Sequence, residues 1–332
     1  MSAATNMKEL FKTNKYLLMP EVYDVASTRC AELCGFKAVV LSSGELSMAM
    51  CGNPDMGLLN PDELTWVAQR LCHAVKVPVI IDAEGGFGRP LNVFNTVKKL
   101  SRCGIGGVII TDETEPYLSF REPERACCSI EEAVARMRAA SIALEGTDAI
   151  LVSRTDLDIT EHYDEVVERC NRFLEAGATA TMILSLNKIR NLEDRMVMLK
   201  RLSSDIPGPK WYPDLSSDND QEDLDLDEIA DLGFNMIGVH YLITAATYGM
   251  VESGRHLYEE KNTMVLERNM DSLPDAAKVL NGTVPKAAYI DAFGLTDGTW
   301  IELEKKFFSD DYLFAAKSYR MNMVMNMIEK QR

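Results

Sequence analysis

The chain has 332 residues, 46% of them hydrophobic and only 8% aromatic, which is enough apolar material for the core of one large domain. Its formal net charge of −16 and its pI of about 4.8 disfavour nucleic acid and anionic membranes as partners. We expect a cytoplasmic protein with reduced thiols, because residues 1–15 lack the core of a signal peptide, no stretch reaches the ~20 apolar residues of a membrane span, and the eight cysteines form no CxxC pair.

Apolar runs of strand length recur along the chain and alternate with stretches of helical periodicity. The predicted strands are 16–19, 37–42, 77–82, 107–111, 149–153, 179–185, 210–213 and 235–239. The clearest predicted helices are 61–75, 91–103, 130–144, 161–176 and 192–203. Glycines stand where a helix should end before the next strand, at Gly35, Gly104, Gly177 and Gly233. This alternation predicts an α/β fold, a (β/α)₈ TIM barrel, with a doubly wound open sheet as the alternative.

The C-terminal part differs in pattern from the barrel. We predict that the barrel occupies residues 1–260 and that residues 261–332 form a C-terminal helical extension. Segment 218–228 is strongly acidic and indicates a solvated loop leading into a helix. The predicted long helix after residue 297 is rich in methionine, a composition typical of core or oligomer packing.

The third predicted strand ends in the most informative segment of the chain, Val-Ile-Ile-Asp-Ala-Glu-Gly-Gly-Phe-Gly at 79–88. Residues i and i+2 of a strand face the same side, so Asp82 and Glu84 can converge just beyond its end. The glycines allow a sharp turn or a close ligand. Two hard oxygen donors here favour Mg²⁺ or Mn²⁺. Taken alone, the segment fits equally a strand end with solvated acids and a turn.

Two later strands end in the same way. Segment 107–113 closes on Thr111, Asp112 and Glu113, and segment 150–156 closes on Arg154 and Asp156. The fork of an arginine suits a carboxylate or a phosphonate, although Arg154 could instead form a structural ion pair with Asp156. Other predicted strand ends carry Ser42, Ser43, Ser185, Asp214 and His240. Because active sites of barrels lie at the carboxyl ends of the strands, this pattern predicts a site for a metal and a small carboxylate or phosphonate substrate.

A set of motifs in a fixed order strengthens this interpretation. They are Ser42-Ser43-Gly44, Asn53-Pro54-Asp55-Met56-Gly57, the 82–88 segment, Thr111-Asp112 and Ser153-Arg154-Thr155-Asp156. Together, over about residues 17–260, they resemble the isocitrate lyase/phosphoenolpyruvate mutase superfamily, in particular the branch with methylisocitrate lyase, phosphoenolpyruvate mutase and oxaloacetate-processing enzymes. The resemblance implies a (β/α)₈ barrel whose last helix is swapped between subunits, and a homotetramer.

The resemblance also implies roles for individual residues. Ser43 and Gly44 would offer backbone N–H groups to the 2-oxo carboxylate of the substrate, and Asp55 would take part in catalysis near the metal. Asp82, Glu84 and Asp112 would hold Mg²⁺ or Mn²⁺, directly or through water, and Arg154 would bind the substrate carboxylate. The implied activity is a Mg²⁺-dependent lyase that acts on a small 2-oxo or 2-hydroxy di-acid through an enolate, by C–C cleavage or decarboxylation.

The chain also departs from the family pattern. Glu84 replaces the second aspartate of Asp-x-Asp, and Thr111 replaces the glutamate of a Glu-Asp pair. Loop 115–123 lacks the cysteine and histidine of the lyases and the lysine and asparagine of the mutases. Tyr117 in this loop is therefore a candidate for the missing acid, beside a shifted thiol of the Cys127-Cys128 pair. Two alternatives remain: a phosphonopyruvate-type mutase or hydrolase, and a catalytically impaired homologue with a binding or scaffold role.

Overall fold

The computed structural model describes residues 6–53, 55–114, 126–213, 224–261 and 306. Within these residues, eight parallel strands pair in sequence order and close into a barrel. The strands are β1 Leu17–Val22, β2 Val39–Leu41, β3 Val79–Asp82, β4 Gly107–Thr111, β5 Ile150–Thr155, β6 Ala180–Ile183, β7 Lys210–Tyr212 and β8 Phe234–Val239. The closed barrel confirms the predicted fold class and rules out the open sheet.

Helices cover the outside of the barrel and connect the strands. They are α1 Met7–Thr13, α2 Val25–Cys34, α3 Ser43–Leu46, α4 Pro61–Ala74, α5 Pro90–Ser101, α6 Ile130–Ala143, α7 Tyr163–Glu175, α8 Leu192–Asp205, α9 Leu226–Asp231 and α10 Leu242–Glu260. The five helices predicted above are all present, and their ends lie within two residues of the prediction. Local chemistry sets such ends: Asn60 and Glu63 form a capping box at α4, and Gly35 ends α2 with a φ of 95°.

Alternation of side chains along the strands separates two apolar layers. Leu17 and Met19 of β1, Val40 of β2 and Ile80 of β3 belong to the cluster that fills the barrel. Their neighbours in sequence point outward and pack against the helices, as Leu41 does. Met7 and Leu10 of α1 join the interior cluster. The interior is therefore filled by side chains, which leaves the carboxyl ends of the strands as the place for a site.

The chain divides into two units, residues 1–250 and 251–332. Of the second unit, the structure describes residues 251–261 and 306. The predicted methionine-rich helix therefore lies outside the described residues. Among the described helices, none is long and apolar enough to cross a membrane.

Candidate active site

Charged side chains form the uppermost interior layer of the barrel on three alternate strands. Glu21, Asp82 and Arg154 each lie two residues beyond an interior apolar residue of β1, β3 or β5, namely Met19, Ile80 and Val152. In a staggered barrel, alternate strands contribute to the same layer. The contacts agree, because Arg154 Nη1 lies 3.6 Å from Asp82 Oδ2 and the charge of Asp82 acts on Glu21. A largely apolar barrel thus ends in an ionisable layer.

Asp82 is the centre of this layer. Its Oδ2 accepts a hydrogen bond from Ser43 Oγ at 3.3 Å, and its Oδ1 accepts one from the Glu84 backbone N–H at 3.2 Å. Burial raises the pKa of Asp82; Arg154 opposes this rise and Asp55 adds to it. The side chains around Asp82 therefore do not fully neutralise the negative charge of its carboxylate.

The turn after β3 has an unusual backbone. Glu84 adopts a φ of 54°, in the left-handed region, and the Gly86 N–H donates to the Ala83 carbonyl at 2.9 Å. The Thr111 N–H donates to the Glu84 carbonyl at 2.9 Å, which ties the turn to β4. A left-handed glutamate costs about 1 kcal/mol or more, and such strain concentrates at functional sites. The turn places the buried Glu84 at the mouth of the barrel.

Gly44 and Asp55 lie against each other. A Cβ atom on Gly44 would stand 2.8 Å from Asp55 Cγ, closer than packing permits. Glycine is required here because it lets the Asp55 carboxyl approach the first turn of α3. Since Asp55 raises the pKa of Asp82, it also lies near the charged layer. Ser43, Gly44, Asp55 and Asp82, each named above as a candidate site residue, thus lie close together.

Asp156 holds the guanidinium group of Arg154 in a fixed orientation. Its Nε and Nη2 donate to the two oxygens of Asp156 at 2.6 and 2.8 Å, while Nη1 faces Asp82. Burial lowers the pKa of Arg154, but Asp156, Asp82 and Glu113 together raise it well above its usual value. Arg154 therefore does form the ion pair with Asp156 that the sequence suggested as an alternative role. It still leaves other guanidinium N–H donors for a ligand, because the group carries five.

Asp112 has different partners from Asp82. Its Oδ2 accepts from Arg169 Nη1 at 3.1 Å and its Oδ1 accepts from the Asp156 N–H at 3.1 Å, with the side chain fully buried. Across the described ranges, no three aspartate, glutamate, histidine or cysteine side chains form a group that could hold a metal ion. Of the predicted set of Asp82, Glu84 and Asp112, the last therefore has both carboxylate oxygens already engaged by protein donors.

The donor set around Asp82 nevertheless suits a hard divalent cation. Its members are oxygens of Asp82, Asp55 and Ser43, and the negative charge exceeds that of Arg154. Mg²⁺ often binds through one or two carboxylates and keeps several waters. A cation would stabilise the buried Asp82 carboxylate, so the oxygens present fit a hard divalent ion such as Mg²⁺.

Sequence reasoning missed a second acidic cluster on the β1 and β8 side. Glu45 Oε1 lies 3.1 Å from His240 Nδ1, and Glu21 is also buried. Burial raises the pKa of Glu21 to about 8; Asp82 and Glu45 add to the rise, and His240 and Ser42 oppose it. The sequence did contain one sign of this cluster, because Glu21 is a charged residue at an interior position of an apolar strand.

Several predicted site residues lie elsewhere. Tyr117 and Asp214 lie outside the described residues. Ser185 has a structural role, because its hydroxyl accepts from the Ile159 N–H and donates to the Leu157 carbonyl. Burial, followed by the nearby Asp112, raises the pKa of the Cys127 thiol far above its usual range, so this thiol is a weak acid near neutral pH.

The chain is similar in sequence and in fold to known proteins. Residues 7–256 match the family described as phosphoenolpyruvate phosphomutase. The chain is 33% identical over 208 residues to 2,3-dimethylmalate lyase of Eubacterium barkeri, a match that covers 63% of this chain and 70% of the relative. It is 30% identical over 270 residues to a chloroplastic carboxyvinyl-carboxyphosphonate phosphorylmutase of Arabidopsis thaliana, covering 78% and 76% of the two chains. A solved phosphoenolpyruvate phosphomutase from Streptomyces platensis subsp. rosaceus has the same fold, with a TM-score of 0.76 at 24% identity over 92% of this chain and 99% of that one.

Proposed function

Because the chain belongs to the phosphoenolpyruvate phosphomutase family, we propose that it is a Mg²⁺-dependent lyase acting on a small 2-oxo or 2-hydroxy di-acid. The reaction is the cleavage of a C–C bond, including decarboxylation, through an enolate. The observation that carries the proposal is the contact between Asp82 and Arg154 in the uppermost layer of the barrel. It puts a carboxylate suited to a cation beside a guanidinium suited to a substrate carboxylate.

Different residues bind the two carboxylates of the di-acid. Arg154, held by Asp156, presents its remaining N–H donors to one carboxylate of the di-acid. The Ser43 and Gly44 N–H groups, in the first turn of α3, bind the carboxylate next to the 2-oxygen, and Asp55 keeps that turn in place. Asp112 stabilises the site because its carboxylate accepts hydrogen bonds from Arg169 and from the Asp156 N–H.

The metal would be held by Asp82 directly, with Glu84 and Asp112 acting through water or through neighbouring groups. When bound, Mg²⁺ would supply positive charge for the 2-oxygen of the substrate, which carries negative charge in the enolate of a 2-oxo acid and in the alkoxide of a 2-hydroxy acid. Asp82 stays ionised in that state, although burial raises its pKa in the absence of a cation. Arg154 and Asp82, the residue that would hold the metal, lie 3.6 Å apart, so both positive charges would act on the same small substrate.

C–P chemistry is the second candidate. A phosphorylmutase stands among the relatives, and a phosphonate group could occupy the place of the distal carboxylate beside Arg154. Decarboxylation of a 2-oxo di-acid and C–P cleavage of phosphonopyruvate both give an enolate of pyruvate, so the same charged layer would serve either. The two functions differ in which bond breaks, and a product analysis separates them.

A substrate panel with Mg²⁺ tests the proposal. 2-Hydroxy and 2-oxo di-acids, together with phosphonopyruvate, are incubated with the protein, and pyruvate and other carbon products are followed by ¹³C NMR and phosphorus products by ³¹P NMR. We expect a carbon product, its loss on chelation, and at least a 100-fold lower rate for Asp82→Asn. Asp62→Asn, at an exposed carboxylate of α4, is the matched control and should keep the wild-type rate. A phosphorus product alone favours the second candidate, and no turnover of any acid leaves a binding or scaffold role.

We also propose a cytoplasmic homotetramer. None of the 19 residues of α10 is buried, and the helix exposes Tyr248, Met250, Val251 and Tyr258. An apolar surface of this kind favours packing against another subunit. Light scattering at micromolar concentration should give about four times the 37.1 kDa of one chain. A monodisperse monomer would contradict the tetramer without affecting the proposed reaction.

A further inference from the structure

Helix α2 carries two cysteines on one face near its C-terminal end. Cys30 and Cys34 are four residues apart, and side chains at this spacing lie one above the other, with about 5–6 Å between their Cβ atoms. Both thiols are free; Cys34 is exposed and Cys30 is half-buried. The helix thus holds two sulfur donors side by side, within reach of solvent.

Two aromatic rings and a cavity border the pair. Burial raises the pKa of Tyr241 to about 12, and the nearby Cys34 and Cys30 add to the rise, so the phenol keeps its proton near neutral pH. The Tyr241 ring lies 6.2 Å from that of Phe36, between ring centres. Phe36 and Cys34 both line a cavity of about 300 Å³. The cavity gives a small ion a path to the sulfurs, and the rings provide an apolar border.

The charged and titratable groups near the pair have both signs. Burial raises the pKa of Cys30, and Cys34 and Asp24 add to the rise, while the charge of Cys30 acts on Tyr23 in turn. Lys37 lines the cavity together with Cys34. The Cys30 thiol is therefore protonated near neutral pH, and a ligand must displace its proton. Soft metal ions do so because the thiolate is the form that binds metal.

The number of donors determines which ion fits the pair. Structural zinc sites need four ligands. Within the part of the chain that the structure describes, no third histidine, cysteine or acidic side chain joins the two thiols in a metal-binding group. Thiolates favour soft ions such as Cu⁺, and Cu⁺ accepts two sulfurs in a linear arrangement. Thiols one helical turn apart can meet such an ion from opposite sides.

We propose that Cys30 and Cys34 form a binding site for one soft monovalent cation of the Cu⁺ class. On binding, two S–H bonds break and two S–Cu bonds form, so two protons are released and the bound ion with its two thiolates is an anion. Lys37 offsets part of this negative charge. The pair lies on a helix outside the barrel, whereas the charged layer lies inside it, so the site is independent of the proposed reaction.

Titration with Cu⁺ tests the proposal. The reduced full-length protein is titrated without oxygen in competition with a chromogenic Cu⁺ chelator, and we expect one tight site per chain. The helix holds the second thiolate at a high effective concentration, so Cys30→Ser and Cys34→Ser should each weaken binding by about 10²–10⁴-fold. Cys51→Ser is the matched control, because Cys51 is also exposed but has Ser47 and Asp55 four residues away on either side. This control should bind Cu⁺ like the wild type.

Two further readouts do not depend on the variants. X-ray absorption at the copper edge of the wild type should show two sulfur neighbours in a linear arrangement. Bound Cu⁺ should also protect Cys30 and Cys34 from alkylation, located by peptide mass spectrometry, while Cys51 is still alkylated. Thermal unfolding of the metal-free variants verifies that each one is folded.

Several outcomes would overturn the site. They are wild-type affinity for Cu⁺ in Cys30→Ser or Cys34→Ser, an equal loss in Cys51→Ser, three or more sulfurs around the copper, or unchanged alkylation of the pair with Cu⁺ bound. A failed search for lyase activity would leave the site standing, because neither thiol takes part in the proposed reaction.

Discussion

Replacing Glu21 with glutamine should stabilise the protein, and more so as the pH rises. Glu21 is buried, and burial raises its pKa from about 4.5 to about 8. Between these values the unfolded chain has lost the proton and the folded protein keeps it, so the unfolded state binds fewer protons and wild-type stability falls as pH rises. Each pKa unit corresponds to about 1.36 kcal/mol. The fall attributable to Glu21 from pH 4.5 to pH 8 is therefore on the order of 5 kcal/mol, and glutamine removes it.

Urea unfolding at pH 5, 6, 7 and 8 with a metal chelator measures this effect. We expect the stability difference between Glu21→Gln and the wild type to grow by about 1 kcal/mol per pH unit from pH 5 to 7, and by less towards pH 8, where Glu21 begins to ionise in the folded protein. The pH-dependent contributions of other buried acids, such as Asp112, are the same in both proteins and cancel in the difference. Glu9→Gln changes an exposed glutamate on α1 and serves as the control, whose curve should run parallel to that of the wild type. Parallel curves for Glu21→Gln would refute the reasoning.

Three further changes have expected outcomes. Arg169→Met leaves the buried Asp112 without its cation and should cost about 3–5 kcal/mol by urea unfolding; a loss below 1 kcal/mol would contradict the assignment of this pair. Gly86→Ala places a Cβ 2.5 Å from Val93 Cγ2 at a φ of 87°, so we expect a loss of about 1–3 kcal/mol, and an unchanged melting temperature would mean that the turn relaxes freely. Arg154→Lys should lower kcat/KM by roughly 30-fold or more, because a bidentate charged contact is worth about 2–5 kcal/mol; kinetics equal to the wild type would remove Arg154 from the substrate site.

The barrel and part of its site were predictable from the sequence for physical reasons. Strands buried on both faces are continuous apolar runs, so all eight were found, and the family and fold predictions are confirmed. The carboxyl ends of parallel strands meet at one edge, which is why Asp82 and Arg154 could be placed together. Gly44 and Asp55 were named through the motif resemblance, and the structure brings them into contact.

The remaining features depend on information that local patterns do not carry. β1 was predicted to end at residue 19 but extends to Val22, so Glu21 was not recognised as a strand residue. It follows a proline, which is unusual inside a central strand. Glu45 follows Ser42 at the spacing of a helix cap, a pattern that gives no sign of a buried partner for His240. The partner of Asp112 comes from α7, 57 residues away, so its ion pair could not be read from strand ends.

We propose that the charged layer stabilises an enolate with the help of Mg²⁺. Exchange of the C3 hydrogens of pyruvate in D₂O, followed by ¹H NMR, tests it most directly because this exchange passes through the pyruvate enolate, the intermediate of decarboxylation of a 2-oxo di-acid and of C–P cleavage alike. We predict exchange well above the rate of buffer with Mg²⁺, lost on chelation and in Asp82→Asn. Exchange at the enzyme-free rate with Mg²⁺ present would contradict the account.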